Sequence, residues 1–296
     1  MEGGAFVKEF PEAKLIQQDF GVGGKHGEKY PELWLKGAGQ IIPQMNSIID
    51  FVAPGFVMEA LTVEEGHEYY RMKENKAKVQ LLGQKLNGYR SDKAVFYQHY
   101  HHVYAAIIED LGGRQKALRY LEIGMGTNNS KLVSTMGSGG NPGASLRAFS
   151  EYLPNSQIFG ADVDRAILFQ NDEMRIQTTY IDGFNISTYD DMYEKFGSTK
   201  FDLIIDDAAH AVSSDLNTLI FALTHVNIPG FIVIEDINLK FFPSFRVVNY
   251  LLRSRVSDDI EVKSHMVFTA HRRNGRDKVH PSTKTYIFVI SLQKKK

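Results

Sequence analysis

The chain has 296 residues, of which 43% are hydrophobic and 23% charged, and its formal net charge at pH 7 is −1. This length suits one large domain, or one domain with an accessory segment. The near-neutral charge argues against a nucleic-acid partner, which usually meets a basic excess. The absence of cysteine excludes disulfides and thiolate metal sites.

Nothing in the sequence predicts a membrane segment. No apolar run approaches the roughly 18 residues needed to cross a bilayer, and the opening MEGGAFVKEFPEAK is too polar for a signal peptide. We therefore expect a cytoplasmic protein with no membrane partner, which the absence of cysteine also fits.

Residues 1–90 have the texture of an accessory region, with scattered glycine and proline and weak periodicity. A helix is predicted over residues 62–86, and Asn87 and Gly88 are its stop signal. Since no catalytic motif stands out here, we expect this region to cover the substrate, to form an oligomer contact, or both.

Residues 91–296 alternate between short apolar runs and amphipathic stretches. The runs predict strands at residues 117–123, 157–163, 174–181, 201–206 and 230–236. Helices are predicted at residues 143–153, 165–170, 189–196, 213–226 and 245–256. Two β-like runs, 264–273 and 284–292, close the chain around a basic cluster at 272–278, which we interpret as a solvated loop. The pattern predicts a doubly wound, Rossmann-like α/β sheet, mostly parallel, with an antiparallel last strand.

A glycine pair, Gly124 and Gly126, follows the first strand of this sheet. Glycines at a strand-to-helix turn let a ligand approach the backbone closely. The dinucleotide fingerprint also needs a third glycine and an immediate helix, but Asn129 holds the third position and the next helix begins near residue 143. Glu122 would moreover repel a pyrophosphate. S-adenosylmethionine carries a sulfonium and an ammonium, so we predict it, rather than NAD, as the cofactor.

Acidic residues at the next strand ends complete the predicted donor site. Asp162 ends the second strand, where an acid can accept both ribose hydroxyls, and Asp164 is the less favoured alternative. Asp182 follows the third strand and would face the adenine amine, and Asp206 of the fourth is assigned to the same site. Each acid alone could equally be a turn residue or a helix cap. The prediction therefore rests on their occurrence at the ends of successive strands.

Two acidic pairs, Asp206-Asp207 and Glu235-Asp236, end the fourth and fifth predicted strands. If these strands are neighbours, about 4.8 Å apart, both pairs emerge at the same sheet edge. No lysine or arginine stands beside them in sequence, so either raised pKa values or a hard divalent cation must relieve their repulsion. Oxygen ligands favour Mg²⁺, with Mn²⁺ as an alternative. Helix capping explains only one acid of each pair.

His210, three residues after Asp207, is the predicted general base. A lone histidine at a helix start is more often structural, so this role depends on the predicted metal and donor. It would take the proton of an acceptor hydroxyl, whose oxygen then attacks the sulfonium methyl. A second group, His99, His101 and His102, looks like a metal site, but adjacent histidines diverge on a helix or a strand. We therefore interpret it as a local cap or a substrate-facing surface.

The motifs SDKAVFYQHYHHVY, LEIGMGT, GGNPGASLRAFSEYLP, FGADVD, IIDDAAH and VIEDI resemble a known family. Over residues 88–240 the chain is similar to the metal-dependent sugar O-methyltransferases of macrolide antibiotic biosynthesis, of the macrocin and mycinamicin type. It also resembles the methyltransferase-like protein of cephamycin biosynthesis. The resemblance implies Mg²⁺ held by Asp207, Glu235 and Asp236, with His210 as the base. It also implies a homo-oligomer, a dimer or tetramer assembled through the N-terminal region.

The sequence thus predicts a metal-dependent O-methyltransferase domain over residues 91–296, acting on a hydroxyl of a small natural product, such as a sugar with vicinal hydroxyls. Two alternatives stay open. The acceptor could be a catechol or another phenol, or the chain could be a non-catalytic partner that retains the donor-binding fold.

Overall fold

The computed structural model describes residues 60–61, 76–94, 99–238, 241–255, 259–268 and 285–295. Most of the predicted accessory region and the basic cluster at 272–278 lie outside these residues, so their predictions stay predictions. None of the helices in the described part combines the length and the apolar character that a bilayer span requires.

The described residues form one nine-stranded sheet, with strand order β1-β8-β9-β7-β6-β2-β3-β5-β4. In chain order the strands are β1 (Ala60–Leu61), β2 (Arg119–Ile123), β3 (Gln157–Asp162), β4 (Gln170–Asn171), β5 (Ile176–Tyr180), β6 (Phe201–Asp206), β7 (Val226–Asn238), β8 (Ile260–Phe268) and β9 (Thr285–Lys294). The central strands β5, β3, β2, β6 and β7 are parallel, whereas β9 runs antiparallel between β7 and β8. The predicted sheet is therefore confirmed.

Most helices lie between the strands as the alternation predicts, but the helix predicted at residues 165–170 is wrong, because only a 3-10 turn forms there and Gln170 belongs to β4. The helices in the described residues are α1 (Lys76–Gly88), α2 (His101–Asp110), α3 (Ala144–Tyr152), α4 (Ser187–Lys195), α5 (Val212–His225) and α6 (Phe242–Arg255), and Arg165–Ile167 form a 3-10 turn. The sequence analysis predicts no helix at α2. Residues 103–108 are all apolar and all buried, so the segment shows no amphipathic period that would reveal a helix.

Two hydrophobic cores cover the two faces of the sheet. Alternate residues of a strand join different cores: Leu121 and Ile123 of β2 lie in one, and Tyr120 lies in the other. This alternation follows from the pleat of a β-strand. Leu82 and Leu86 of α1 belong to the same core as Tyr120, so α1 packs onto this sheet.

Gly124 allows the turn after β6 to pack directly on the turn after β2. Its φ is +90°, and a Cβ there would lie 2.2 Å from the carbonyl oxygen of Asp207. The N–H of Asp207 donates to the carbonyl of Ile123 at 2.8 Å. Gly124 is expected from the sequence to make room for a ligand. In the structure its lack of a side chain allows Asp207 to pack against the turn after β2.

Substitution of Gly124 tests this packing. Gly197 also has a positive φ, of +83°, but an added Cβ there would meet nothing within 4 Å. We expect Gly197→Ala to lose about 1–2 kcal/mol of unfolding free energy, from backbone strain alone. Gly124→Ala should lose at least about 1 kcal/mol more, because it adds overpacking. Denaturant unfolding measures both, and equal losses would contradict the proposed contact.

Candidate functional site

The site lies where the direction of strand addition reverses. From β2 the chain adds β3 and β5 on one side, then returns to add β6 and β7 on the other. Open α/β sheets bind ligands at this point, beyond the carboxyl ends of the strands. In the paired register Asp206 stands opposite Ile234, so the two acidic pairs follow at the same level. Their predicted adjacency is correct.

A bulge in β7 sets the directions of Glu235 and Asp236. The register between β7 and β9 shifts between Ile234 and Ile237, and Asp236 has a φ of +54°. Successive side chains of a regular strand point to opposite faces, whereas a bulge re-aims them. Asp236 lines the same cavity as Asp207 and His210. His210 also has a positive φ, +51°, and such backbone conformations concentrate at functional sites.

Two cavities open at this edge of the sheet. The smaller, of about 300 Å³, is formed by the ends of β2, β3 and β5 and by the loop at residues 131–134. The larger, of about 570 Å³, contains most of the charged residues. Gly126, Ser134 and Asp207 line both cavities, so the two adjoin at these residues. Both volumes lie in the range of small-molecule sites.

Four of the six predicted donor-binding residues line the smaller cavity: Gly124, Gly126, Asp162 and Asp182. Asp162 accepts the N–H groups of Met125 and Asp164, each at 2.8 Å. A carboxylate has about four acceptor positions, so two bound N–H groups leave it able to accept ribose hydroxyls. Burial raises the pKa of Asp162, and these two N–H groups oppose the shift.

The other predicted donor residues lie elsewhere. Asp164, the alternative to Asp162, accepts the hydroxyl of Thr127 and caps the 3-10 turn through the N–H of Ala166. Glu122 lines the larger cavity. Asp206 is buried, lines neither cavity and accepts the N–H of Ala208 at 3.0 Å, so its placement is that of a turn residue.

Lys93 supplies the positive charge that the sequence neighbours of the acids lack. Its ammonium donates to Asp207 Oδ2, lies 2.6 Å from Glu235 Oε2 and lies 3.4 Å from Glu122 Oε1. The side chain of Lys93 is only 1% exposed. The expectation that only raised pKa values or a metal relieve the repulsion is therefore wrong, because a lysine arrives from 114 residues away in sequence.

Burial and charge act against each other in this cluster. Burial lowers the pKa of Lys93, but attraction to Asp207, Glu235 and Glu122 outweighs it and holds that pKa well above its ordinary value. Burial raises the pKa of Glu235, repulsion from Asp207 raises it further, and Lys93 opposes both. The pKa of Glu122 is likewise raised by burial. Lys93 thus stays charged, with three carboxyl groups around it.

Two tyrosines, Tyr104 of α2 and Tyr100 at the N-cap of this helix, hold the β7 pair in place. Tyr104 donates its hydroxyl to Glu235 Oε1, and Tyr100 donates to Asp236 Oδ1. Both tyrosines are fully buried. Glu235, from the predicted ligand set, therefore has one oxygen bound by Lys93 and the other by Tyr104. Its predicted role as a metal ligand therefore stays a prediction, and a cation would have to share these oxygens with Lys93 and Tyr104.

The remaining oxygens of Asp207 and Asp236 face the imidazole of His210. Asp207 Oδ1 lies 3.9 Å from His210 Nε2, and Asp236 Oδ2 lies 3.8 Å from it. One ligand atom from each of these three residues fits within 4.8 Å of the others. Each aspartate is thus held through one oxygen by a buried donor and presents the other to the cavity.

A divalent cation fits this arrangement. Two cations, Lys93 and Arg90, lie here beside five carboxyl groups, those of Asp92, Glu122, Asp207, Glu235 and Asp236. If all are ionised, three negative charges remain uncompensated, and Lys93 contacts neither Asp207 Oδ1 nor Asp236 Oδ2 through the bonds described. Carboxylate oxygens are ligands that Mg²⁺ prefers. Asp207 and Asp236, two of the three predicted ligands, have oxygens beside His210 and could hold it.

The sequence analysis assigns no role to Lys93, Tyr100 or Tyr104, although all lie in the motif SDKAVFYQHYHHVY. A signal was present, since Tyr100 and Tyr104 are four residues apart and face the same way on a helix. The missing step was the prediction of α2 itself.

Three curated O-methyltransferases have similar sequences. Mycinamicin VI 2''-O-methyltransferase of Micromonospora griseorubida is 32% identical over 134 residues, covering 45% of this chain and 30% of the relative. L-olivosyl-oleandolide 3-O-methyltransferase of Streptomyces antibioticus is 29% identical over 138 residues, covering 45% and 31%. Demethylmacrocin O-methyltransferase of Streptomyces fradiae is 29% identical over 133 residues, covering 45% and 30%. The matches thus span less than a third of these relatives' length. No family model matches the chain.

Solved structures agree on the fold. The MycE methyltransferase of the mycinamycin biosynthetic pathway, in complex with Mg and SAH, aligns with a TM-score of 0.50 at 20% identity, covering 72% of this chain and 55% of that one. Its complex with Mg, SAH and mycinamycin VI aligns with a TM-score of 0.51 at the same identity. The fold is that of the class I methyltransferases. The resemblance to macrolide sugar O-methyltransferases, predicted from the sequence, is confirmed.

Removal of the buried ammonium tests the charge cluster. We expect Lys93→Met to lose about 3–5 kcal/mol of unfolding free energy, because buried carboxylates are left without their cation. Lys85→Met is the matched control: its pair with Glu151 is exposed, at 36% and 38%, and should lose less than about 1 kcal/mol.

The unfolding free energy that Lys93→Met loses should depend on pH in a defined direction. A carboxyl group whose pKa is raised in the fold favours folding while protonated and loses that advantage as pH rises through the raised pKa. The pKa values of Glu122 and Glu235 are raised, so the deficit should be largest at neutral pH and shrink towards pH 4. A deficit that is flat or grows towards acid would contradict the cluster.

Proposed function

We propose that this chain transfers a methyl group from S-adenosylmethionine to a hydroxyl of a small natural product, with Mg²⁺ as a second cofactor. The observation that carries the proposal is the junction of two cavities at Asp207, one lined by the strand-end acids and one containing His210 and Asp236. The printed names of the relatives support it, since these are O-methyltransferases acting on macrolide substrates.

The smaller cavity is the proposed donor site. Asp162 would accept the ribose hydroxyls, as it lines this cavity with oxygens oriented by two backbone N–H groups. Asp182 accepts the N–H of Phe184, and its position beyond β5 suits the adenine end. When bound there, S-adenosylmethionine would supply a sulfonium methyl group, whose carbon would bond to the acceptor oxygen as its bond to sulfur breaks, leaving S-adenosylhomocysteine. Gly126 and Ser134, at the junction, would lie beside that methyl group.

The larger cavity is the proposed acceptor site, and His210 is its base. The side chain of His210 is 28% exposed, so a bound hydroxyl can reach the imidazole. His210 would take the hydroxyl proton on Nε2, while Asp207 and Asp236, both within 4 Å of that atom, stabilise the resulting positive charge. Asp207 therefore has a catalytic part besides its part in cation binding.

Asp207 and Asp236 would hold the divalent cation. When bound, Mg²⁺ would supply a Lewis acid that lowers the pKa of an acceptor hydroxyl. Mg²⁺ suits this role better than softer metals, because its preference for oxygen leaves the imidazole of His210 available as the base. Mn²⁺ is the alternative ion. Two vicinal hydroxyls could chelate such an ion, which favours a sugar or another diol as the acceptor.

Two alternatives remain from the sequence. A catechol would chelate the same ion, and only the range of accepted substrates separates it from a sugar. A non-catalytic partner would keep the donor site without needing His210. We retain the prediction of a cytoplasmic homo-oligomer with residues 1–90 as an accessory region.

Calorimetry of S-adenosylhomocysteine tests the two halves of the site separately. We expect the product to bind wild type without Mg²⁺, and Asp162→Asn to weaken it about 10- to 100-fold through lost charged hydrogen bonds. Asp236→Asn should keep the affinity for S-adenosylhomocysteine but lose the heat of Mg²⁺ addition that EDTA reverses in wild type. Failure of wild type to bind S-adenosylhomocysteine would remove the proposed donor site.

Turnover tests the base. With a panel of glycosyl diols and catechols in the presence of Mg²⁺, we expect His210→Ala to lower kcat about 10²- to 10⁴-fold and to leave S-adenosylhomocysteine binding unchanged. His225→Ala is the control, since His225 stacks on Phe221 and lines neither cavity. If no acceptor on the panel is methylated and His210→Ala leaves the pathway of the protein unaffected, the non-catalytic alternative is correct.

A further inference from the structure

The histidine group formed by His99, His101 and His102 lies beside the site but outside both cavities described above. One ring nitrogen from each of the three fits within 4.8 Å of the others. The ring centroids of His101 and His102 are 4.2 Å apart, and that of His99 lies 6.0 Å and 6.3 Å from them. The expectation that these side chains diverge is therefore wrong.

The backbone at His99 explains the convergence. His101 and His102 are the first two residues of α2, whereas His99 precedes the helix with a φ of +59°. This left-handed conformation belongs neither to a helix nor to a strand, and it turns the His99 side chain back towards the first turn of α2. Histidine adopts this conformation more readily than most residues, but the backbone there is still strained.

We propose that His99, His101 and His102 bind a Zn²⁺ ion. Zn²⁺ commonly takes three protein ligands with a fourth position open to water or another group, and imidazole suits it. His101 is buried, while His99 and His102 are half-buried, so the ion has an approach from solvent. The three neutral donors carry no charge that would attract Mg²⁺ or Ca²⁺, which prefer oxygen.

The site lies at the N-terminus of α2, where the helix dipole disfavours a cation. Ligation by three imidazoles outweighs this effect and the strain at His99, because metal ligands can stabilise the fold of a whole small domain.

The ion would fix the residue that lies between its ligands. Tyr100 stands between His99 and His101 and donates its hydroxyl to Asp236, and the N–H of His101 donates to the carbonyl of Lys93 at 3.1 Å. Bound Zn²⁺ would tie the segment before α2 to its first turn, and so hold Tyr100 and Lys93 beside the acidic pairs. The metal site is structural and independent of the proposed methyl transfer.

Titration with Co²⁺, the spectroscopic substitute for Zn²⁺, tests the site. Tag-free protein is stripped with EDTA and titrated in four forms: wild type, His99→Gln, His102→Gln and His210→Gln. We expect the visible band of cobalt bound to nitrogen to saturate at one ion in wild type and in His210→Gln, and Zn²⁺ to displace it. His99→Gln and His102→Gln should each weaken Co²⁺ binding at least about 10-fold. Even the loss of a residue that only hydrogen-bonds to a metal ligand lowers metal affinity by about this factor.

His225→Gln is the matched control, because His225 lies on α5 and stacks on Phe221. It should bind Co²⁺ like wild type. Two results would overturn the proposal: a wild-type protein that shows no stoichiometric band, and a band that survives in both His99→Gln and His102→Gln but disappears in His210→Gln. The second would place the bound ion at Asp207, His210 and Asp236 instead.

Discussion

The buried ammonium of Lys93 is the contact on which the rest of the site depends. Three carboxyl groups, from Glu122, Asp207 and Glu235, lie within 3.4 Å of it. They come from the ends of three adjacent parallel strands, β2, β6 and β7. Without a cation, acids this close and this buried would be forced to take up protons or to separate. The lysine allows the strand ends to meet.

The cluster also decides which oxygens face the substrate. Lys93 and Tyr104 occupy both oxygens of Glu235, whereas Asp207 and Asp236 each use one oxygen for a buried donor. Their other oxygens lie beside His210. Tyr104 of α2 and Tyr100 at its N-cap donate to Glu235 and Asp236, so the start of α2 lies against the acidic pair of β7. Exposure follows the same division, because the side chain of Glu235 is 0% exposed, whereas those of Asp207 and Asp236 are 18% and 12% exposed.

The positions of most strands and the location of the site could be predicted from the sequence, because these depend on local patterns. Apolar runs locate strands, and acids at their ends must meet at one edge of a parallel sheet. Predicted β6 matches residue for residue, and Asp162 and Asp182 line the expected cavity. The adjacency of Asp207 to Glu235 follows from the same rule.

Long-range and backbone-conformation effects could not be predicted in this way. The contact between Lys93 and Glu235 spans 142 residues, and nothing local in the sequence indicates it. The bulge at Asp236 and the left-handed turn at His99 depend on positive φ values of non-glycine residues, which residue type alone does not reveal. The same limit explains why the contacts of Glu235 with Lys93 and Tyr104, and the convergence of the three histidines, were not predicted.

The central claim is that the salt bridge with Lys93 keeps Glu235 away from the divalent ion, which Asp207 and Asp236 bind. The most direct measurement is a crystal structure with S-adenosylhomocysteine and Mn²⁺, with the ion located by its anomalous scattering. The account predicts one Mn²⁺ ligated by Asp207 and Asp236, with the salt bridge from Lys93 to Glu235 intact. An ion ligated by Glu235 with Lys93 displaced, or no ion at this edge of the sheet, would contradict it.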